Sequence, residues 1–139
     1  MNPSYEMFDH TADMGIRVRA GSLAELIRPA SDALFAAIGE MAMAGPGEPR
    51  RIEAVGDDQA VMLRDYLAEA LYLFECEASR FFPKRIEEFS ERKLAVEGLL
   101  VPLDVQRCAY YREVKAVTYH ELAIREIEGG FEAVYIVDI

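Results

Sequence analysis

The sequence predicts an α+β fold, a single domain over residues 1–139 in which mostly antiparallel β-sheets pack around two main helices. Two segments have helical periodicity, whereas short alternating runs precede the first and fill the chain after Pro83. The Gly129-Gly130 pair between two such runs is typical of a hairpin, because both glycines accept positive φ. The order β-β-α occurs more than once, which suggests a loose internal duplication.

The first helix is predicted over residues 23–41, where apolar residues recur at spacings of three and four. Ser22 and Glu25 in front of it form a capping box, in which each side chain can bond the other residue's backbone N–H. Pro29 lies inside the predicted helix and removes a backbone donor there. The sequence therefore predicts a kink at Pro29.

The second helix is predicted over residues 59–82, with Asp57-Asp58 at its N-cap and Pro83 ending it. It is apolar around more than half its circumference, which predicts a central helix covered on more than one side. Cys76 falls within that apolar circumference, where a thiol is inert.

Strands are predicted on both sides of the second helix. Their ranges are 5–8, 15–20, 50–55, 85–91, 93–101, 112–120, 121–128 and 131–137.

Charge and composition narrow the functional classes. The formal net charge of -10 argues against direct high-affinity binding of nucleic acid and permits a metal cation or a basic protein surface as partner. No apolar run approaches the roughly 20 residues of a membrane helix. We expect no secretory signal, because the N-terminal residues have neither a basic flank nor an apolar segment. Cys76 and Cys108 are far apart and form no zinc-like pair. We therefore expect a cytoplasmic protein with reduced thiols and no membrane partner.

Each end of the chain carries candidate oxygen donors for a metal ion. Asp9 and Asp13 flank a turn near the start, and Asp138 precedes the terminal carboxylate of Ile139. Carboxylate oxygens are what Ca²⁺ and Mg²⁺ bind, so these groups would form a divalent-cation site if the fold brings the ends together. The alternative is a solvated loop stabilised by Asx hydrogen bonds.

Three further side chains are candidates for chemistry or binding. His10 and His120 are the only histidines and could form a catalytic pair, although packed structural histidines are the simpler interpretation. Lys115 lies between apolar neighbours in a predicted strand, where it could also be an edge charge that blocks aggregation. No phosphate-binding glycine loop or dinucleotide fingerprint is present.

Four ordered blocks of the sequence resemble the archease family. They are Asp9-His10-Thr11-Ala12-Asp13-Met14-Gly15, Tyr66-Leu67-Ala68-Glu69-Ala70-Leu71-Tyr72-Leu73-Phe74-Glu75-Cys76-Glu77, Glu113-Val114-Lys115-Ala116-Val117-Thr118-Tyr119-His120 and Val137-Asp138-Ile139. The resemblance implies a small protein that is not itself an enzyme. It would activate an RtcB-type tRNA-splicing ligase by promoting guanylylation of the ligase and its multiple turnover.

The resemblance also implies the site residues. The metal site of the family maps onto Asp13, Asp138 and the terminal carboxylate of Ile139, with Asp9 as a second-tier member. Ca²⁺ is the expected ion, with Mg²⁺ or Mn²⁺ as alternatives. Lys115 and His10 are candidate contacts with the partner ligase.

One departure from the family pattern is Cys108, which stands where the family usually has a histidine and puts in doubt any role of that histidine. Two other functions stay open at this stage. One is a stand-alone metal-dependent phosphoester hydrolase that uses Asp9, Asp13, His10 and Asp138. The other is a general chaperone or binding module in which the acidic cluster only stabilises the fold.

Overall fold

A computed structural model describes residues 1–10 and 12–139, without the side chain of His10. Within that part the chain forms ten β-strands, two α-helices and one 3-10 turn. In chain order they are β1 (Ser4–His10), β2 (Asp13–Ala20), the 3-10 turn (Ala24–Leu26), α1 (Ile27–Ile38), β3 (Gly39–Glu40), β4 (Glu48–Val55), α2 (Gln59–Glu77), β5 (Ser79–Phe89), β6 (Lys93–Pro102), β7 (Ala109–Tyr110), β8 (Ala116–Val117), β9 (Ala123–Ile127) and β10 (Gly130–Asp138).

The strands form antiparallel sheets, which confirms the predicted α+β class. The larger sheet has the order β1-β2-β10-β8, and β9 also pairs with β10. The second sheet has the order β4-β6-β5, and β3 pairs with β7 in a short ribbon. Helix α2 packs against the second sheet and against α1, while α1 contacts strands of both sheets. No described helix is long and apolar enough to cross a membrane.

Helix α1 begins later than the sequence predicts. Ser22 and Glu25 form half of the expected capping box, because the Glu25 N–H donates to Ser22 Oγ at 3.2 Å. The Glu25 carboxylate accepts from the Ser22 hydroxyl at 3.1 Å, where the prediction had it bond the Ser22 backbone N–H. The turn they cap is the 3-10 turn, however, and α1 starts only at Ile27. Pro29 therefore lies in the first helical turn, where its missing N–H has no intrahelical role. The reason for expecting a kink at Pro29 is thereby removed.

Helix α2 begins where predicted and ends earlier. Asp58 Oδ1 accepts from the N–H groups of Ala60 and Val61 at 2.8 and 3.1 Å, as an N-cap should. Its end is Ala78, in the left-handed region at φ 48°, rather than Pro83. Pro83 lies in β5, an edge strand, beside a shift in register, which is where a sheet tolerates proline.

The predicted strand over 112–120 is also wrong, because only Ala116–Val117 pairs with β10. Residues 111 and 112 instead donate hydrogen bonds to the C-terminal end of α1. The guanidinium of Arg112 donates to the carbonyl of Ala37, and the Tyr111 N–H donates to the carbonyl of Ile38 at 2.8 Å. These bonds satisfy carbonyls that a helix C-terminus leaves without partners.

Two buried tyrosines connect α1 to the rest of the core. The hydroxyl of Tyr135 on β10 donates to the carbonyl of Ala30 at 2.8 Å, and the hydroxyl of Tyr66 on α2 lies 2.8 Å from Ser31 Oγ. The Tyr66 ring also meets Phe81 of β5 edge-on, with 6.1 Å between the ring centroids. Since a buried hydroxyl without a partner is costly, these bonds fix α1 relative to the larger sheet and to α2.

The outer face of the larger sheet carries a carboxylate that is almost fully buried. Glu132 is 4% exposed and accepts from Arg19 at 2.8 Å and from Arg125 at 2.9 Å. Burial is the largest single influence on the pKa of Glu132 and raises it, but the hydrogen bonds and charges of the two arginines together lower the pKa below its ordinary value of 4.5.

Replacing Glu132 by glutamine should lower the free energy of unfolding at neutral pH by about 1–2 kcal/mol, because charge-assisted hydrogen bonds are lost. Since the folded pKa is below the unfolded one, the stabilisation is complete above the unfolded pKa and is lost as pH falls through the folded pKa. Urea unfolding of the native protein and of Glu132→Gln between pH 3 and pH 7 measures how the difference in their free energies of unfolding depends on pH. Glu128→Gln, an exposed change on the same hairpin, is the control. Equal pH dependence in both variants would contradict the assignment.

Candidate metal centre

The two ends of the chain meet on one edge of the larger sheet. Asp13 begins β2 and Asp138 ends β10, and the antiparallel register places the two residues directly opposite each other. Residues directly opposite in such a ladder have Cβ atoms about 4.5–5.5 Å apart and side chains on the same face. The structure therefore places side by side the two aspartates that the sequence analysis predicts as metal ligands.

This pair of carboxylates suits a hard cation. Both side chains are half-buried, and like charges directly opposite in a ladder destabilise it unless a positive charge lies between them. Ile139 follows Asp138 and is 38% exposed. Among the described residues no group of three or more His, Cys, Asp and Glu side chains is arranged to hold a metal. The donor chemistry fits Ca²⁺ or Mg²⁺, with the remaining ligands supplied by other oxygens.

Asp9 does not join the pair. It lies opposite Met14 in the β1–β2 register, one position out of step with Asp13. Because side chains alternate along a strand, Asp9 is on the other face of the sheet from Asp13 and Asp138. The backbone of His10 pairs with that of Asp13, but the predicted role of the His10 side chain falls outside the described atoms.

A row of three paired residues adjoins the two aspartates on the same face of the sheet. Phe8, Gly15 and Ile136 lie side by side on the same face of β1, β2 and β10. A Cβ atom on Gly15 would lie 2.2 Å from two carbons of the Phe8 ring, so the ring occupies the space that a side chain would take. The guanidinium of Arg17 stacks on the Phe8 ring, with its central carbon 4.8 Å from the ring centroid.

Lys115 lies beside the carboxylate pair through its backbone. Its N–H donates to the carbonyl of Asp138 at 2.7 Å, and the next residue, Ala116, pairs with Asp138 in the ladder. The side chain of Lys115 is exposed and lines a cavity that also borders the end of α2. Lys115 is thus adjacent to the site without being one of its oxygen donors.

The cysteines and the second histidine lie elsewhere. Cys76 is exposed on α2, so the prediction that it lies within the apolar surface was wrong. Cys108 is half-buried, and its Sγ accepts the Ala42 N–H at 3.2 Å. His120 lies in the exposed turn before β9, where its Nε2 is 4.0 Å from Glu121 Oε1.

The sequence matches the model of the archease protein family (MTH1598/TM1083) over residues 5–139. The chain belongs to the archease family. The Methanopyrus kandleri protein archease is 34% identical over 138 residues, which cover 97% of this chain and 99% of that one. The protein archease of Methanosarcina barkeri is 32% identical over 97% of this chain and 95% of its own length.

Solved structures agree with this assignment. The solution structure of Methanobacterium thermoautotrophicum protein 1598 is 30% identical, with a TM-score of 0.76 over 97% of this chain and 98% of that one. The 2.0 Å crystal structure of a Thermotoga maritima archease, described as a possible chaperone, is 19% identical over 96% of each chain and shares the fold at a TM-score of 0.64.

Two features of this archease site could not be assigned a role from sequence alone. The Phe8–Gly15 contact had one indication, since glycine inside a strand often marks a close approach of another group. The exposed tyrosines near Lys115 had none, because no sequence pattern indicates that Tyr110 and Tyr111 pack beside the end of α2.

Proposed function

We propose that this archease is the activator of an RtcB-type tRNA-splicing ligase in the cytoplasm, where it promotes guanylylation of the ligase and multiple turnover. The observation that supports the proposal is the direct pairing of Asp13 with Asp138 on one face of the larger sheet. Like charges directly opposite each other in a ladder repel, and a bound divalent cation would offset that repulsion between the two carboxylates. The ligase is proposed as the partner because of the resemblance of the sequence to the archease family.

The ion that fits this site is a hard divalent cation, with Ca²⁺ proposed first and Mg²⁺ or Mn²⁺ as alternatives. Asp13 and Asp138 would hold it, with the Ile139 carboxylate as a third oxygen donor. When bound, the ion supplies positive charge that the phosphate groups of a nucleotide in the ligase could contact. The role of the chain is to fix the two side-chain carboxylates, through the β2–β10 ladder, at an edge that can approach another protein.

The test is a guanylylation assay of the ligase from the same organism, with and without this protein and Ca²⁺. We expect a faster formation of the ligase–guanylate adduct and more ligated RNA per ligase molecule in its presence. The protein alone should not turn over a phosphoester substrate, because no intrinsic catalysis is proposed. An unchanged adduct rate over a range of cations would refute the proposal, and turnover by the protein alone would favour a hydrolase.

A further inference from the structure

An aromatic groove lies beside the carboxylate pair. A cavity of about 680 Å³ opens between the end of α2 and the segment 105–115, and its walls include Phe74, Val105, Tyr110 and Tyr111. A second cavity of about 180 Å³ is lined by Tyr72 and shares Glu75 and Lys115 with the first. The two cavities together are called the tyrosine groove below. Its larger part has the volume of a ligand-binding cleft.

The groove exposes four large apolar side chains. Tyr72, Val105, Tyr110 and Tyr111 are each between 49% and 56% exposed. Single exposed apolar side chains are ordinary on a protein surface, whereas a contiguous set rimmed by polar residues indicates an interaction site. Tyrosine is also enriched among the residues that contribute most to binding energy at interfaces.

The charges of the groove favour an acidic group on the occupant. Three cations and two carboxylates line the two cavities. Arg64 is engaged by the carbonyl of Val117, at 2.9 Å, and by Asp65, and Arg112 donates to a carbonyl of α1. No described group forms a hydrogen bond or ion pair with the Lys115 ammonium. A carboxylate on an incoming surface would provide that missing partner.

The groove adjoins the proposed metal site through Lys115, which lines both cavities and whose N–H donates to the Asp138 carbonyl at 2.7 Å. We infer that the tyrosine groove is the surface on which the ligase docks, an inference that rests on the proposed function. The occupant is a surface segment of the ligase that places an apolar side chain in the larger cavity and a carboxylate on Lys115. A ligase docked in the groove would also contact the end of the larger sheet that carries Asp13 and Asp138.

The test compares two groove variants with two matched controls. Tyr111→Ala is paired with Tyr5→Ala, an exposed tyrosine at the far end of β1, and Lys115→Gln is paired with Lys84→Gln on β5. Calorimetric titration gives the Kd for the ligase, and the guanylylation assay gives the stimulation at saturation. Each groove variant should raise the Kd about tenfold, which corresponds to the loss of one major interface side chain. The maximal stimulation should be unchanged.

The possible results separate this inference from the proposed function. If the native protein stimulates the ligase and the groove variants bind as tightly as their controls, the docking assignment is wrong and the function stands. If the native protein neither binds nor stimulates the ligase, both are overturned. Light scattering tests for a third outcome, in which the native protein is a dimer, Tyr111→Ala is a monomer and both bind the ligase equally well. That result would overturn the docking assignment and make the groove a contact between two copies of this chain.

Discussion

Replacing Asp13 or Asp138 by asparagine is expected to reduce stimulation of the ligase at least tenfold and to remove the effect of Ca²⁺ on thermal stability. A ligand at 100 times its Kd stabilises a folded protein by about 2.7 kcal/mol, and either change removes one of two opposed carboxylates. Without metal, each variant should be as stable as the native protein or up to about 1 kcal/mol more stable, because like-charge repulsion across the ladder is relieved. Thermal unfolding with and without Ca²⁺, beside the guanylylation rate, measures both effects.

Asp9→Asn is the matched control for this prediction, because Asp9 is only four residues from Asp13 but on the other face of the sheet. It should keep the Ca²⁺-dependent shift in Tm and the stimulation. Adding a short peptide after Ile139 tests the third donor, since it turns the carboxylate into an amide carbonyl. Normal stimulation by Asp13→Asn and Asp138→Asn would show that the pair has no part in activation.

A Gly15→Ala change is expected to destabilise the protein by about 2 kcal/mol, since the new Cβ would lie 2.2 Å from the Phe8 ring and the ring must leave its place. The stacking of Arg17 on that ring is lost at the same time. In a Phe8→Ala background the same Gly15→Ala change should be neutral or stabilising by up to about 1 kcal/mol, because alanine is the better strand residue when space is free. Urea unfolding of the four proteins gives this cycle.

Gly45→Ala is the control for the Gly15 cycle, because a Cβ there meets only Pro102, at 3.8 Å. It should leave the free energy of unfolding nearly unchanged. The Gly15→Ala variant should also bind Ca²⁺ more weakly, because the row Phe8–Gly15–Ile136 adjoins Asp13 and Asp138. An equal cost of Gly15→Ala with and without the Phe8 ring would exclude the proposed contact as the cause.

Local chemistry made some of the fold predictable from sequence. The N-cap at Asp58 and the hairpin between β9 and β10 both depend on a few neighbouring residues, and both are present. The turn of the hairpin lies one residue earlier than predicted, at Glu128-Gly129, and of the two glycines Gly129 has a positive φ of 83° while Gly130 already belongs to β10. The end of α2 was misplaced because Pro83 is a strong local breaker, yet the helix stops at Ala78 so that the chain can enter β5. That choice depends on pairing with β6, which no local pattern contains.

The geometry of the candidate site could not be predicted from the sequence. Resemblance to the family predicts Asp13 and Asp138 as metal ligands, which stays a prediction. The register of β2 with β10 shows that the two residues lie opposite each other, and the register of β1 with β2 shows that Asp9 is on the other face. Register is set by pairing between distant strands, and a shift of one residue would move every side chain to the other face. The tyrosine groove likewise depends on how segment 105–115 packs against α1 and α2.

The pairing of β2 with β10 has a consequence for how the protein matures. During synthesis β1 and β2 leave the ribosome early, while β10 is made after all the other strands. The two aspartates therefore come together only after the contact of highest sequence separation in the larger sheet has formed, which is slow relative to local hairpins. A nascent or truncated chain lacks one of the two carboxylates. Ion binding at this edge would therefore be restricted to the fully assembled protein, and an immature chain could not act as a partial activator.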